Sequence, residues 1–211
     1  MKIALICGSP KVNQSTSGYI LEELKSYISN DNTIVQYNIH KPEISNQVMD
    51  ELLSCDSLVF AFPLYVDAIP THLLKVLVDF SSYANAKVKK NILVYAIVNC
   101  GFFEGKQNEI AIDIMKHWSE KTGLTWGHGL GIGAGGMLFS VKNVPNGRGP
   151  KKDLGNALLE FTDSINNQKE KETIFVNLNF PRFAYIQAAH MGWRAQAKSN
   201  GLKSKDLNQK I

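Results

Sequence analysis

The segment from Gly8 to Ser17 carries the densest group of anion-binding side chains in the sequence. Its ten residues, Gly-Ser-Pro-Lys-Val-Asn-Gln-Ser-Thr-Ser, include four hydroxyls, two amides and one lysine. A helix is predicted to begin near Ser17, and the free N–H groups and dipole of a helix N-terminus favour an anion. One hydroxyl would suffice as an N-cap. Four hydroxyls with Lys11 therefore favour a phosphate site over a simple capping loop, although the segment matches neither a Walker A motif nor G-x-G-x-x-G.

Two later segments are suited to a flat ring. In Phe62–Pro70, prolines stiffen the chain, and Tyr65 with its apolar neighbours can lie against an aromatic ligand. The alternative is that Tyr65 only covers the edge of the core. In residues 99–104, Gly101 permits close approach of a ligand, and two consecutive phenylalanines cannot both point inward. The exposed one is expected to form either a substrate platform or a dimer contact.

Alternating strand and helix patterns position these segments. The predicted strands are 2–7, 33–39, 57–62, 91–98 and 125–132, and the predicted helices are 17–29, 47–54, 70–83, 106–122 and 154–166. This rhythm predicts an α/β fold with a five-stranded parallel sheet covered on both faces. Ligands of such sheets bind beyond the carboxyl ends of the strands, where the strand order reverses. The three segments all follow strands and are expected to meet there.

The last part of the chain departs from this pattern. The net charge is +4, and residues 169–211 hold eight Lys/Arg against three Asp/Glu. We predict one domain over residues 1–168 and a C-terminal helical extension over residues 169–211. Its basic charge and its aromatics (Phe183, Tyr185 and Trp193) suit nucleic-acid or membrane contact. Packing on the main domain or on a partner subunit is the favoured interpretation.

Composition excludes several classes of protein. No apolar run reaches the roughly 18 residues of a spanning helix, so no integral membrane segment is predicted, and the N-terminal apolar stretch is too short for a signal peptide. Cys7, Cys55 and Cys100 are odd in number and widely spaced, which predicts neither a disulfide framework nor a C-x-x-C motif. The five histidines show no metal-binding spacing. These features predict a cytoplasmic protein without a metal site or nucleic-acid partner.

The order of these motifs resembles a known family. Gly-Ser-Pro-Lys with Asn-x-Ser-Thr follows the first strand, Pro-Leu-Tyr with a later Pro and Leu-Leu-Lys follows the third, and Gly-Phe follows the fourth. Over about residues 1–167, this pattern is similar to flavodoxin-like NAD(P)H-dependent FMN reductases and quinone reductases. The resemblance implies a three-layer flavodoxin-like sandwich, FMN as cofactor, NAD(P)H as co-substrate, and a homodimer with each flavin near the interface. Residues 180–198 are then expected to clasp the neighbouring subunit.

The resemblance also assigns the site residues. The first segment would wrap the FMN phosphate, the second would support the isoalloxazine, and the third would close its far edge. The first group is Ser9, Lys11, Asn13, Ser15, Thr16 and Ser17, the second is Pro63, Leu64, Tyr65 and Val66, and the third is Asn99, Cys100, Gly101 and Phe102. Lys11 stands where the family commonly has arginine. No catalytic side chain is assigned, and backbone N–H groups near residues 99–101 are expected to stabilise negative charge on the reduced ring.

One further glycine-rich run, Gly131 to Gly136, matches G-x-G-x-x-G after a strand. A dinucleotide fingerprint opens the first βα unit and needs a later strand with an acidic residue about 20 positions on. Here the run follows the last predicted strand, and Glu160 lies in a predicted helix. We therefore predict a tight, backbone-exposed turn near the flavin edge.

The activity predicted from the resemblance is hydride transfer from NAD(P)H to FMN and on to a quinone, flavin, azo or nitro acceptor. One alternative is a flavodoxin-type electron carrier without its own small-molecule substrate, although carriers are usually acidic and shorter. A second is a hydrolase with Ser9 as nucleophile. The G-x-S-x-G elbow is absent, and no Asp-x-x-His pair occurs to support it.

Overall fold

The computed structural model describes residues 1–85, 87–203 and 206. Six strands and six α-helices follow one another along the described chain. The strands are β1 (Lys2–Cys7), β2 (Thr33–Asn38), β3 (Ser57–Pro63), β4 (Leu93–Asn99), β5 (Thr125–Ile132) and β6 (Ile174–Val176). The helices are α1 (Thr16–Lys25), α2 (Asn46–Ser54), α3 (Thr71–Ala84), α4 (Glu109–Lys121), α5 (Lys152–Asn166) and α6 (Arg182–Ser199). The predicted alternation of strands and helices is confirmed.

All strands pair in parallel in one sheet with the order β2-β1-β3-β4-β5-β6. The prediction of five strands is therefore wrong, because the sheet has six. The sixth strand has only three residues and pairs with the last part of β5, from Leu130 to Ile132. A strand this short carries almost no periodic signal, and a polar stretch precedes it. This strand lies within residues 169–178, which are part of the predicted C-terminal extension.

Apolar residues on both faces of the strands explain why the sheet is covered on both sides. On one face, α2, α3 and α4 pack through residues such as Leu52, Leu73 and Met115 against a continuous core. On the other face, α1 and α5 bury Leu24 and Phe161. The result is the three-layer α/β arrangement in which helices protect a parallel sheet.

The strand order reverses between β1 and β3. From β1 the chain moves outward to β2, and then returns to the opposite side of β1 for β3 and the strands beyond it. The connections leaving the carboxyl ends of β1 and β3 therefore diverge to opposite faces of the sheet. A crevice opens between them, which is the usual ligand site of a doubly wound sheet.

Contacts divide the chain into two compact units, Met1–Leu178 and Asn179–Ile211. In the second unit, α6 has no buried residue, and Phe183, Met191 and Trp193 are exposed. Packing of this extension on the domain or on a partner subunit stays a prediction. Among the described helices, none is long and apolar enough to cross a membrane.

A buried histidine makes folding stability depend on pH. His128 lies in β5 with no exposed surface, and its Nδ1 is 3.0 Å from the Ser164 hydroxyl. Burial lowers the pKa of His128 from 6.5 to about 4. The unfolded chain therefore takes up a proton below about pH 6.5 that the folded chain takes up only near pH 4, so stability is lost as the pH falls through this window.

Replacing this histidine with asparagine is expected to flatten the pH dependence of unfolding. Between about pH 7 and pH 5, the wild type should lose about 2 kcal/mol more unfolding free energy than His128→Asn, because the variant has no imidazole to protonate. Urea unfolding at both pH values measures this difference. The smaller side chain lowers stability at every pH, so the slopes are compared. Equal slopes would contradict the assignment of a buried neutral histidine.

Candidate functional site

The three predicted segments meet at the crevice beside the switch point. A cleft of about 160 Å³ lies there, lined by side chains from all three. The lining residues are Ser9, Lys11, Thr16, Ser17, Pro63, Leu64, Tyr65, Asn99, Cys100, Gly101, Gly135 and Gly136. None of them carries a carboxylate, and Lys11 supplies a positive charge. The donor set of hydroxyls, amide and lysine therefore suits an anion.

Four residues assigned from the sequence do not line this cleft. Ser15 is the N-cap of α1, where its Oγ accepts from the N–H of Gly18 at 3.0 Å. Asn13 is exposed in the first loop. Val66 and Phe102 lie at the exposed rim, where 99% and 54% of their surfaces are accessible. The structure thus brings ten of the fourteen predicted residues together at the cleft.

The first loop offers a series of backbone donors. Within the described part of the chain, the N–H groups of residues 12–17 donate to no protein oxygen, whereas the N–H of Lys11 donates to the Ser9 hydroxyl at 3.3 Å. Gln14 turns the loop with a positive φ of 50°. The positive end of the α1 dipole lies at the same place. Successive free N–H groups at a helix N-terminus form a binding site for an oxyanion such as phosphate.

A buried hydrogen bond joins the first and third segments. The Ser17 hydroxyl donates to Asn99 Oδ1 at 2.8 Å, and both side chains are buried. This bond fixes the amide orientation and leaves Asn99 Nδ2, which has no acceptor among the described residues, as a donor beside the cleft. Thr16 adds a second, longer link through its hydroxyl to the carbonyl of Gly135 at 3.5 Å. These two bonds fix the first segment against the third segment and the glycine run, which together line the cleft.

The second segment contains a strained turn. Tyr65 and Ala68 exchange two backbone hydrogen bonds of 3.1 Å, as the ends of a two-residue hairpin do. The residues between them, Val66 and Asp67, both have positive φ, at 49° and 57°. This conformation is unfavourable for any β-branched residue. Strain at the rim of a cleft is typical of positions that contact a ligand, and it presents Val66 fully to solvent.

Relieving this strain is expected to stabilise the protein. Asparagine tolerates positive φ, so Val66→Asn should raise the free energy of unfolding by about 1 kcal/mol. The matched control is Val12→Asn, at an exposed position without positive φ, which should change stability by less than about 0.5 kcal/mol. Thermal unfolding of the ligand-free protein measures both. A loss of stability in Val66→Asn would contradict the strained turn.

The glycine run packs against the third segment. Gly135 N–H donates to the carbonyl of Cys100 at 2.8 Å, and the N–H of Ala134 donates to that of Phe102 at 2.6 Å. A side chain at Gly133 would clash with the carbonyl oxygen of Phe103, so only glycine allows this close approach. A short 3-10 turn, Gly135–Met137, follows instead of the α-helix of a dinucleotide fingerprint. The run shapes one wall of the cleft.

The buried thiol beside the cleft does not act as a nucleophile. Burial raises the pKa of Cys100, so it stays protonated near neutral pH. Its Sγ lies 3.7 Å from the carbonyl oxygen of Phe102 and 3.6 Å from that of Glu104. The cleft therefore contains polar donors and a positive charge, but no activated cysteine.

One histidine that contacts the first segment was not predicted from the sequence. His40, which follows β2, places Nδ1 2.8 Å from the carbonyl oxygen of Ser9. A polar residue directly after a strand next to β1 was the available signal. The histidine contacts the carbonyl and not the hydroxyl of Ser9, so Ser9 has no histidine hydrogen-bonded to its hydroxyl among the described residues, as the hydrolase alternative requires.

Several solved structures share this architecture. An NADH:FMN oxidoreductase in its apo form aligns with a TM-score of 0.59 over 87% of this chain and 97% of its own, at 16% identity. An NADPH-quinone reductase from P. pentosaceus gives 0.55 over 77% and 96%, at 17% identity. A WrbA-like flavodoxin from Agrobacterium tumefaciens gives 0.54 over 80% and 99%, at 12% identity. These similarities show a flavodoxin-like fold. No family model and no curated protein sequence matches the chain.

Proposed function

We propose that the protein is an FMN-dependent NAD(P)H oxidoreductase that reduces a small-molecule acceptor such as a quinone, flavin, azo or nitro compound. The observation that carries this proposal is the series of free N–H groups over residues 12–17, beside Lys11 and at the N-terminus of α1. Proteins of the same fold that are named NADH:FMN oxidoreductase and NADPH-quinone reductase support it.

The residues present fit a flavin mononucleotide. The Ser9 hydroxyl, Lys11 and the loop N–H groups supply donors for the three oxygens of a phosphate, whereas the hydroxyls of Thr16 and Ser17 donate to Gly135 and Asn99 and hold the loop in place. Asn13 and Ser15 belong to the same proposed phosphate loop. The cleft holds about 160 Å³, less than the roughly 300 Å³ at which whole-ligand pockets begin. We therefore assign the phosphate to its interior and the ring to its rim.

The rim supplies flat and apolar surfaces for a ring. Pro63 and Leu64 form the base of the second segment, and Tyr65 and Val66 present half-exposed and fully exposed side chains above it. Cys100 and Gly101 border the opposite side, and Phe102 is exposed beyond them. A side chain added at Gly101 would meet no atom within 4 Å, so a ligand has access to its backbone.

The protein's own part in the reaction is binding and electrostatics. Bound FMN would supply the hydride chemistry. Of the backbone N–H groups near residues 99–101 that are predicted to stabilise negative charge, that of Cys100 donates to the Ile132 carbonyl at 3.0 Å. Asn99 Nδ2, oriented by the bond between Asn99 Oδ1 and Ser17, is a further donor for this role. An oriented amide beside developing negative charge stabilises it without reorganisation.

The alternative function is that of an electron carrier. The charge balance opposes it, because residues 1–168 are near neutral and residues 169–211 are basic, whereas carriers are usually acidic.

A homodimer with the flavin near its interface and a cytoplasmic location complete the proposal. The three buried free cysteines are consistent with a reducing compartment.

The central test is the absorption spectrum of the purified protein with FMN, followed by titration with NADH and NADPH. An oxidoreductase is expected to oxidise the nicotinamide in repeated turnovers when a quinone is added, because the acceptor regenerates the oxidised flavin. A carrier would bind FMN and leave the nicotinamide unoxidised. Protein that binds no FMN would contradict both functions.

The phosphate loop predicts a difference between FMN and riboflavin. Lys11→Ala should weaken FMN binding about tenfold, because a charge-assisted hydrogen bond to phosphate is lost. Riboflavin lacks the phosphate, so its dissociation constant should be the same for the variant and the wild type. Quenching of flavin fluorescence measures both. An equal loss for both ligands, or no loss for either, would contradict the assignment of Lys11 to the phosphate.

A further inference from the structure

Helix α6 has an exposed face that is apolar in its first half and basic in its second. The residues of this face recur every three or four positions: Phe183, Gln187, Met191, Arg194 and Lys198. Phe183 and Met191 are 74% and 69% exposed. The 18-residue helix contains no acidic residue and buries none of its side chains. Bulky apolar side chains exposed together on one helix indicate a surface that binds a partner.

The distribution of apolar residues around α6 favours a protein partner. Tyr185, Met191 and Trp193 lie on different sides of the helix, because successive residues are about 100° apart around its axis. A helix at a lipid surface confines its apolar residues to one face. A helix that is apolar on several sides is instead typical of one buried among other elements.

A groove of about 950 Å³ lies between α4 and the segment that leads into β6. One wall is a face of α4 with Glu109, Asp113, Lys116 and Glu120, which are spaced along roughly 16 Å of helix. Residues 170–173 and Phe175 line the opposite side. The groove shares no lining residue with the proposed flavin cleft. It is therefore a separate surface, and it is long enough to hold several turns of a helix.

The groove is acidic. Five carboxylates and three lysines line it. Two of the lysines, Lys106 and Lys171, already form ion pairs. Within the part of the chain that the structure describes, four of the carboxylates form no ion pair, namely those of Asp113, Glu120, Glu170 and Glu172. The unpaired charge of the groove is thus negative, opposite to the charge of α6.

The two ends of the groove differ in the same way as the two halves of the α6 face. Phe175 lies at the end near the start of α4, where Lys106 Nζ is 4.7 Å from its ring centroid. Glu120, in the last turn of α4, and Glu170, four residues before β6, lie at the other end. The C-terminus of α4 adds the negative pole of its dipole there. One end is therefore aromatic and the other is acidic.

We propose that α6 of one copy docks in this groove of a second copy. The apolar half of the α6 face then lies toward Phe175, and its basic half lies toward Glu120 and Glu170. Each chain has one such groove and one such helix, so two copies related by a two-fold axis make both contacts at once and close as a dimer. The inference goes beyond the proposed function, because it assigns a surface to the predicted homodimer and does not depend on FMN.

Reversing the charge on either side is expected to weaken the dimer. The α6 variant, Arg194→Glu with Lys198→Glu, and the groove variant, Glu120→Lys with Glu170→Lys, each place like charges opposite one another. The dissociation constant of the dimer should rise about tenfold for each contact, and therefore about a hundredfold for the two reciprocal contacts. Sedimentation velocity over a concentration series measures this constant.

The sharpest test is an equimolar mixture of the α6 variant and the groove variant. In the mixed dimer, the negative helix meets the positive groove and the positive helix meets the negative groove. Both contacts are restored, so the mixture should regain the wild-type dissociation constant. The matched control is Lys142→Glu with Lys152→Glu, an exposed pair outside α6 and the groove, which changes the net charge as the α6 variant does and should leave the constant unchanged.

The wild type provides a measurement that needs no substitution. Its association should weaken from low to high salt, because the contact joins opposite charges. Equal association of the wild type and both variants, or a mixture of folded variants that stays dissociated, would overturn the proposal. Wild type that stays monomeric and binds vesicles of anionic lipid would also overturn it and assign α6 to a membrane surface. FMN binding, measured separately because none of the substituted residues lines the cleft, tests the proposed function alone.

Discussion

The site depends on how the chain leaves β1. Gly8 ends the strand with its N–H bonded to the Ala61 carbonyl at 2.8 Å, and α1 begins only at Thr16. The loop between them cannot use its N–H groups in either element, so residues 12–17 keep free donors at the positive end of a helix dipole. The other residues that line the cleft lie beside these N–H groups and their positive potential.

The sheet topology explains why other segments meet this loop. Because the strand order reverses between β1 and β3, their connections separate and leave a crevice, and β4 brings Asn99 to its floor. The Ser17–Asn99 hydrogen bond then ties the loop to the floor from within the protein. A long-range bond of this kind fixes both walls before a ligand arrives, so less conformational entropy is lost on binding.

The alternation of strands and helices and the convergence of three segments could be predicted from the sequence, because buried parallel strands and polar strand ends leave strong local patterns. The three-residue β6 could not, since it is defined by pairing with β5 and not by its own periodicity. Nor could the strained turn at Val66 or the position of His40. A β-branched residue at positive φ contradicts its own propensity, and a histidine's partner is set by tertiary contacts.

The central claim is that the free N–H groups of the first loop bind the phosphate of a flavin, and backbone amide NMR tests it most directly. On addition of FMN, the amide resonances of residues 12–17 are expected to shift downfield as they donate to the phosphate, and on addition of riboflavin they should stay close to their free positions. Amides near Tyr65 and Asn99 should respond to both ligands. Shifts confined to other regions, or equal shifts of the loop amides with both ligands, would contradict the account.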